Sequence, residues 1–222
     1  MTAAEAARFP ATSPRTLRGQ PLLVWECPGE WLAVSSGSYG GGLGTRRWVL
    51  NATVPSGYDR PDPAAHVAEM ADELGLEGPG TGLLTAVDVR HEVTAAEAGV
   101  RASVTTGVGY PVWAAHDAAD TSHLVRGYTP GTINAVCFLP VRLSESALVN
   151  LVATVAEAKA QALLEAGVAG TGTCTDATVV LCPPDGEPEP YGGPRSVIGA
   201  PLARVVHRAV SEGLRVTNPR HG

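Results

Sequence analysis

Apolar positions in this chain follow two different periods. Short apolar runs bounded by turn-forming residues predict strands at 21–27, 31–35, 47–54, 83–90, 100–106, 131–139 and 177–181. Apolar positions that recur every three to four residues predict helices from 63 to about 75, from 144 onward and over 198–214. Residues 1–19 show no period and are predicted to form a loose leader with a short helical turn at 3–8, and residues 216–222 a tail.

The two halves of the chain repeat similar short motifs in the same order. The matched segments are 35–37 with 105–107, 51–55 with 134–140, and 80–85 with 170–175. We therefore predict one α+β domain, 20–215, in which two pseudo-symmetric ββαβ-like halves (about 31–90 and 101–182) share one core. We expect a mixed sheet covered by helices, with the matched turns converging on a pocket near a pseudo-twofold axis.

Lys159 is the one lysine among 16 basic residues, and the periodicity places it on the apolar face of the longest predicted helix. At about 100° per residue it shares that face with Val155 and Leu163. A charge in an apolar environment must be paired, or it must lose its proton, which an ammonium can do and a guanidinium effectively cannot. The position therefore indicates either chemistry or a structural ion pair, and both interpretations stay open.

Charge and composition argue against several classes of partner. The net charge is −6 without a basic cluster, which argues against nucleic acid. No apolar run reaches the ~18 residues of a membrane span and no signal peptide is recognisable, so we expect a cytoplasmic protein without membrane contact. The four cysteines lack C-x-x-C spacing, so we expect reduced thiols and no metal site or cofactor. Cys174 alone lies in a turn, and no histidine is beside it to make it a nucleophile.

Four segments stand out in combination. They are Val104-Thr105-Thr106-Gly107 with Pro111, Gly131-Thr132-Ile133-Asn134, Glu157-Ala158-Lys159, and Thr171-Gly172-Thr173-Cys174-Thr175-Asp176-Ala177. On these segments the chain, over roughly 31–210, resembles the adenosylcobinamide amidohydrolase family of corrinoid salvage enzymes. The resemblance implies hydrolysis of the amide that joins the propionate of the corrin ring to its aminopropanol arm. The products would be adenosylcobyric acid and aminopropanol, within salvage of cobalamin (vitamin B12) precursors, and the corrinoid would be a substrate, not a cofactor.

Amide hydrolysis requires a nucleophile, a base and donors for the developing oxyanion. The predicted catalytic residues are Asn134, Lys159, Thr173, Thr175 and Asp176. Asp176 would orient or deprotonate a water or a threonine hydroxyl, and Lys159 would tune Asp176, act as the base or stabilise the oxyanion. Asn134 would bind the substrate carbonyl. The predicted substrate-binding residues are Ser36, Gly37, Thr106, Gly107, Thr132, Glu157 and Thr171.

Two other classes of protein remain open from the sequence. The first is a self-processing amidohydrolase, cleaved before a threonine such as Thr132 or Thr171 so that this residue becomes an N-terminal nucleophile. The second is a non-catalytic protein that binds a corrinoid or a nucleotide. The sequence also leaves open the oligomeric state, a homodimer included, and the identity of the nucleophile.

Overall fold

The computed structural model describes residues 9–115 and 131–217, and within them one mixed sheet of eight strands carries three α-helices. The strands are β1 (Ser13–Leu17), β2 (Gln20–Ser35), β3 (Gly42–Thr53), β4 (Gly80–Thr85), β5 (Val93–Glu97), β6 (Val100–Thr106), β7 (Ile133–Phe138) and β8 (Ala177–Cys182). The helices are α1 (Pro63–Glu73), α2 (Glu145–Glu165) and α3 (Gly199–Thr217). The predicted α+β class is confirmed.

The strands lie in the order β4-β3-β2-β8-β7-β6-β5, and β1 pairs with the first part of β2. Two neighbouring pairs are parallel, β3 with β4 and β7 with β8, and each is connected through a helix, α1 and α2 respectively. Parallel neighbours require such a crossover, whereas the other pairs are antiparallel. The antiparallel contact between β2 and β8 joins the two halves of the sheet.

Strand alternation divides the core into three clusters of buried residues. On one face, residues of β2 and β3 such as Leu22 and Leu50 pack against α1. On the corresponding face of the second half, β5 to β8 pack against α2 and α3. The opposite side chains, including Trp25 and Phe138, form an inner cluster to which β2, β3, β4, β7 and β8 all contribute. This shared inner cluster makes the two halves one packing unit.

Helix boundaries follow the capping residues expected from the sequence. The carboxylate of Asp62 accepts a hydrogen bond from Ala65 N (2.9 Å), Pro63 begins α1, and Gly75 follows it with a φ of +68°. The hydroxyl of Ser144 accepts from Ala147 N (3.1 Å) at the start of α2. Within the described residues, α2 is the one helix long and apolar enough to cross a membrane, but its buried face packs in the core.

The elements of the two halves follow one another in the same order, three strands, a helix and a strand. Asn51 and Asn134, which the internal repeat aligns, meet in the interior, where Asn134 Nδ2 donates to Asn51 Oδ1 (2.9 Å). These observations are in keeping with the repeat. The pseudo-twofold relation itself remains a prediction, which superposition of the two halves would test.

The secondary structure corrects five parts of the sequence analysis. Residues 13–17, assigned to the loose leader, form β1, because they pair with the start of β2. The two strands predicted over 21–35 are one strand, whose pairing register shifts between Glu26 and Trp31. The strand predicted over 83–90 ends at Thr85 and is followed by a short 3-10 helix, Val89–His91. β5 was missed, and α3 extends into the start of the predicted tail.

Three predictions fall wholly or partly outside the described residues. They are the helical turn at 3–8, the loop or short helix that the polar sequence of 116–125 predicts, and the end of the tail from 218 onward.

Candidate active site

A cavity of about 640 Å³ opens where the chain leaves β2, β3 and β4 and where it enters β7 and β8. Its lining is formed by Ser36, Ser38, Val54, Pro55, Ser56, Tyr58, Pro63, Leu83, Leu84, Thr85, Ala86, Gly131, Thr132, Cys174, Thr175, Asp176 and Ala177. Hydroxyl groups dominate its polar surface, and Asp176 is the single charged residue among the described residues that line it. The volume lies in the range typical of small-molecule sites, ~300–1,000 Å³.

Asp176 is held at the floor of this cavity by four hydrogen-bond donors. Its Oδ1 accepts from Ile133 N (2.8 Å) and from Thr173 Oγ1 (2.6 Å). Its Oδ2 accepts from Thr173 N (3.0 Å) and from Lys159 Nζ. Asp176 and Ile133 come together because β7 and β8 begin side by side as parallel neighbours. The carboxylate therefore ties the turn before β8 to the start of β7, and both its oxygens are fully engaged.

Lys159 forms an ion pair with Asp176, which is one of the two outcomes that its position in the sequence left open. The two side chains are 17% and 11% exposed, so the pair is largely buried. Lys159 borders a second, smaller cavity of about 170 Å³, while Asp176 borders both cavities. Gly172 packs so closely that any side chain there would overlap Asp176 Oδ2 and Lys159 Nζ. The ammonium thus lies behind the carboxylate as seen from the large cavity.

Two threonine hydroxyls form a hydrogen bond in the wall of the large cavity. Thr132 Oγ1 and Thr175 Oγ1 are 2.6 Å apart, so one donates to the other. Thr132 is buried and precedes β7, whereas Thr175 is exposed and precedes β8. The structure therefore brings together Lys159, Asp176, Thr173, Thr175 and Thr132, five of the residues predicted for the site.

Asn134 lies deeper than its predicted role suggested. Its amide nitrogen donates to Asn51 Oδ1 and to Leu84 O (3.2 Å), and Asn51 Nδ2 donates to Thr105 Oγ1 (3.1 Å). Asn134 is 1% exposed and is not part of the cavity lining. Its Oδ1 is buried and has no hydrogen-bond partner among the described residues. The visible function of this amide is to bridge the two halves of the sheet.

Several other predicted site residues lie away from the large cavity. The fully buried Thr106 packs against Gly213 of α3, and Gly107 packs against Val87. Glu157 is on the exposed face of α2. None of these three residues belongs to the cavity lining. Strand alternation explains why Thr106 lies away from the cavity. Its neighbour Thr105 points toward Asn51, so the side chain of Thr106 points to the opposite face of the sheet.

Of the remaining predicted binding residues, one lines the cavity and two contact the surrounding backbone. Ser36 lines the cavity, and its hydroxyl accepts from Thr178 N (2.9 Å). Gly37 packs on β4, where a side chain would approach Gly82 O at 2.7 Å. The hydroxyl of Thr171 accepts from Ala114 N (3.2 Å), away from the lining.

Tyr58 and His66 were missed by the sequence analysis. Tyr58 lines the cavity, and its hydroxyl is 3.1 Å from His66 Nδ1, with the two rings stacked 5.5 Å apart. Burial is the largest cause that raises the pKa of Tyr58 and lowers the pKa of His66, so the imidazole is neutral near pH 7. Tyr58 and His66 are eight positions apart, in a turn and near the start of α1, and no sequence pattern predicts that their side chains meet.

Of the four cysteines, Cys174 alone is exposed, and it lies in the cavity wall. Burial raises the pKa of Cys27 and Cys137 to about 12 and that of Cys182 to about 11, which keeps these thiols protonated. No group of three or more His, Cys, Asp or Glu side chains in residues 9–115 and 131–217 is arranged to hold a metal ion.

A hydroxyl-lined cavity above a buried lysine–aspartate pair, on an α+β sheet, is the kind of site that a hydrolase uses. The model of the adenosylcobinamide amidohydrolase family matches residues 10–222. The chain therefore belongs to the adenosylcobinamide amidohydrolase family, as its motifs implied.

Two relatives agree with this assignment. The adenosylcobinamide amidohydrolase of Methanosarcina mazei is 30% identical over 209 residues, which cover 90% of this chain and 96% of that protein. The adenosylcobinamide amidohydrolase of Halobacterium salinarum is 34% identical over 197 residues, covering 87% and 84% respectively. Among solved structures, the PH0078 protein of Pyrococcus horikoshii OT3 aligns with a TM-score of 0.42 and 12% identity over 96% of this chain and 84% of its own.

Proposed function

We propose that this protein hydrolyses the amide bond of adenosylcobinamide that links the corrin ring's propionate to its aminopropanol arm. The products are adenosylcobyric acid and aminopropanol, and the reaction belongs to the salvage of cobalamin precursors. The family match over residues 10–222 carries the proposal. The two relatives, which bear the name of this activity and align along most of their length, support it.

The cavity favours entry of the small arm of such a substrate. Its volume of about 640 Å³ suits a side chain and its amide, while the corrin ring and the adenosyl group stay at the mouth. The hydroxyls of Ser36, Ser38 and Tyr58 line it together with the segments that precede β7 and β8. These hydroxyls provide donors and acceptors for an amide and for the hydroxyl of aminopropanol.

Within this proposal, Asp176 and Lys159 act as a positioning pair. Because both oxygens of Asp176 already accept two hydrogen bonds each, the carboxylate serves to fix Thr173, the ammonium and the start of β7. The neutralised pair then holds Thr175 against Thr132 at the reacting side of the cavity. The predicted function of Asp176 as a base would require it to release some of these donors.

We also propose that the reaction needs no redox cofactor and no metal ion, and that the protein works in the cytoplasm. Hydrolysis of an amide transfers no electrons, so a redox group has no task in it. Treatment with a chelator should leave turnover unchanged. Loss of turnover that a single added metal restores would contradict the metal-free part of the proposal.

The decisive experiment is incubation of the purified protein with adenosylcobinamide, followed by mass analysis of the products. We expect equimolar adenosylcobyric acid and aminopropanol. A folded protein that forms neither product at any pH tested, but binds the corrinoid, would instead be a corrinoid-binding protein. The Lys159→Met variant provides a matched control, because contaminating activity would survive that substitution.

A further inference from the structure

No base among the described residues adjoins the hydroxyl of Thr132, which lies in the cavity wall. Among the described side chains, Thr132 Oγ1 is hydrogen-bonded only to the hydroxyl of Thr175. The described residues that line the cavity include no histidine, lysine or arginine, and their one carboxylate, Asp176, is fully engaged. A threonine hydroxyl is a weak nucleophile unless a base adjoins it.

The backbone on both sides of the Gly131–Thr132 peptide bond is closely packed. Gly131 fits between Gly107 and Gly109, where a side chain would approach Gly107 O and Gly109 N at 2.6 Å. Gly107 N donates to Thr132 O (3.1 Å), and Thr132 is only 5% exposed. The peptide bond between Gly131 and Thr132 is therefore held firmly, with the threonine hydroxyl in the cavity wall.

We propose that the chain cleaves itself between Gly131 and Thr132, and that the freed α-amine of Thr132 acts as the base. In the cleavage, Thr132 Oγ1 bonds to the carbonyl carbon of Gly131 while the C–N bond breaks and the nitrogen takes the hydroxyl proton. Water then hydrolyses the ester, which leaves a carboxylate on Gly131 and restores the hydroxyl beside a free amine. The attack is intramolecular, so proximity replaces part of the contribution of a base, and the attack has to happen only once per molecule.

In each turnover, which rests on the proposed function, Thr132 Oγ1 attacks the substrate amide and the α-amine accepts its proton. The amine passes this proton to the nitrogen of the departing aminopropanol, and water releases the corrinoid acid from the threonine ester. The nucleophile and its base then belong to one residue, an arrangement known for N-terminal threonine hydrolases.

The structure distinguishes Thr132 from Thr171, the other threonine considered for cleavage. The hydroxyl of Thr171 accepts from Ala114 N (3.2 Å), and its backbone N donates to Val112 O (2.9 Å). Thr171 does not line the cavity, whereas Thr132 does. Thr171 is therefore part of the scaffold.

The fold also tolerates the cleavage. The second fragment, residues 132–222, would contain β7, β8, α2 and α3, and the first would contain β1 to β6. In the sheet, β8 pairs with β2 and β7 pairs with β6, so strands of the second fragment lie between strands of the first. Backbone hydrogen bonds on both sides and the inner cluster would keep the two fragments together.

The test is the intact mass of the purified protein under denaturing conditions, together with its native size. We expect two species, residues 1–131 and 132–222, that remain associated before denaturation. Thr132→Ala should stay full-length and lose at least about 10³-fold in turnover, since removing a nucleophile has effects of this order or larger. Thr132→Ser should still be cleaved and keep measurable activity, and Thr171→Ala should be cleaved normally.

A chemical readout separates a nucleophilic role from a structural one. Periodate cleaves a 1,2-amino alcohol, so it should convert the N-terminal threonine of the 132–222 fragment to an aldehyde and abolish turnover. A Cys174→Ala background removes the exposed thiol that periodate would also oxidise. Full-length wild-type protein with normal turnover would overturn the proposal, as would cleavage at another bond. Because cleavage is read without substrate, a cleaved protein that leaves adenosylcobinamide intact would count against the proposed function alone.

Discussion

At the scale of single residues, Lys159 shows how a side chain can be singled out by sequence and explained by structure. Its place in an apolar helix face required a partner or the loss of its proton, and Asp176 is the partner that the structure shows. The contact is observed, whereas the predicted chemical function of the pair remains a proposal. Because the ammonium lies behind the carboxylate, we expect that any effect of Lys159 on the reaction would pass through Asp176 and the turn that Asp176 holds.

Substitutions of Lys159 should separate stability from turnover. Lys159→Met leaves Asp176 with its other donors, so we expect a loss of unfolding free energy near the lower end of the ~3–5 kcal/mol typical of a broken buried pair. Lys159→Arg keeps the charge but not the compact shape that packs against Gly172, so we expect a folded protein that has lost most of its turnover. Urea unfolding and product formation measure the two effects.

The double variant Lys159→Met with Asp176→Asn provides the control. It should recover only part of the stability, because the amide nitrogen of Asn would face a donor, either the backbone N or the hydroxyl of Thr173. It should recover no activity. Near-normal turnover in folded Lys159→Arg would show that the lysine is purely structural.

At the scale of elements, the turn between α2 and β8 is the structure on which the site depends. Its backbone is fixed from one side by Asp176 and from the other by Val112, whose backbone N donates to Gly172 O (2.8 Å). The glycine-rich segment after β2 differs, because Gly37 and Gly40 are required for close packing on β4. Similar glycine patterns in the sequence therefore have different physical causes.

Gly172→Ala tests how tightly this turn is built. The added methyl group would overlap the Lys159–Asp176 pair, so we expect a loss of about 1–3 kcal/mol in unfolding free energy together with reduced turnover. Gly29→Ala is a matched control, since a methyl group there meets no atom within 4 Å. Equal behaviour of the two variants in urea unfolding and in turnover would contradict the tight packing described for the turn.

At the scale of the whole molecule, the inner cluster makes the two halves dependent on each other. Trp25 and Trp31 belong to the first half of the sheet and Phe138 to the second, and all three are buried in this cluster. Neither half could retain its share of the cluster after separation from the other. Unfolding should therefore be a single cooperative transition.

Two optical probes can check this cooperativity. Three of the four tryptophans, Trp25, Trp31 and Trp48, lie in β2 and β3, whereas most helical residues are in α2 and α3 of the second half. Tryptophan fluorescence and far-ultraviolet circular dichroism should therefore give coincident urea transitions, measured on Thr132→Ala so that the chain is continuous. Two separated midpoints would show that the halves unfold independently.

The sequence by itself determined the elements and the family. Periodicity and capping residues defined α1, α2 and β6 because these signals are local, and motif combinations sufficed for the family that the comparison confirms. The strand that the sequence analysis wrongly divided in two also has a local cause. The bulge between Glu26 and Trp31 contains Pro28 and Gly29, which resemble a turn in sequence although the strand continues past them.

Only the tertiary structure decided which residues share the cavity. Thr106 and Thr132 looked equivalent in sequence, yet one is buried under α3 and the other lies in the cavity wall. Tyr58 comes from the first half and Thr175 from the second, and no local signal relates them. Such contacts depend on strand order and on which face each side chain takes, and these are set by packing across the whole sheet.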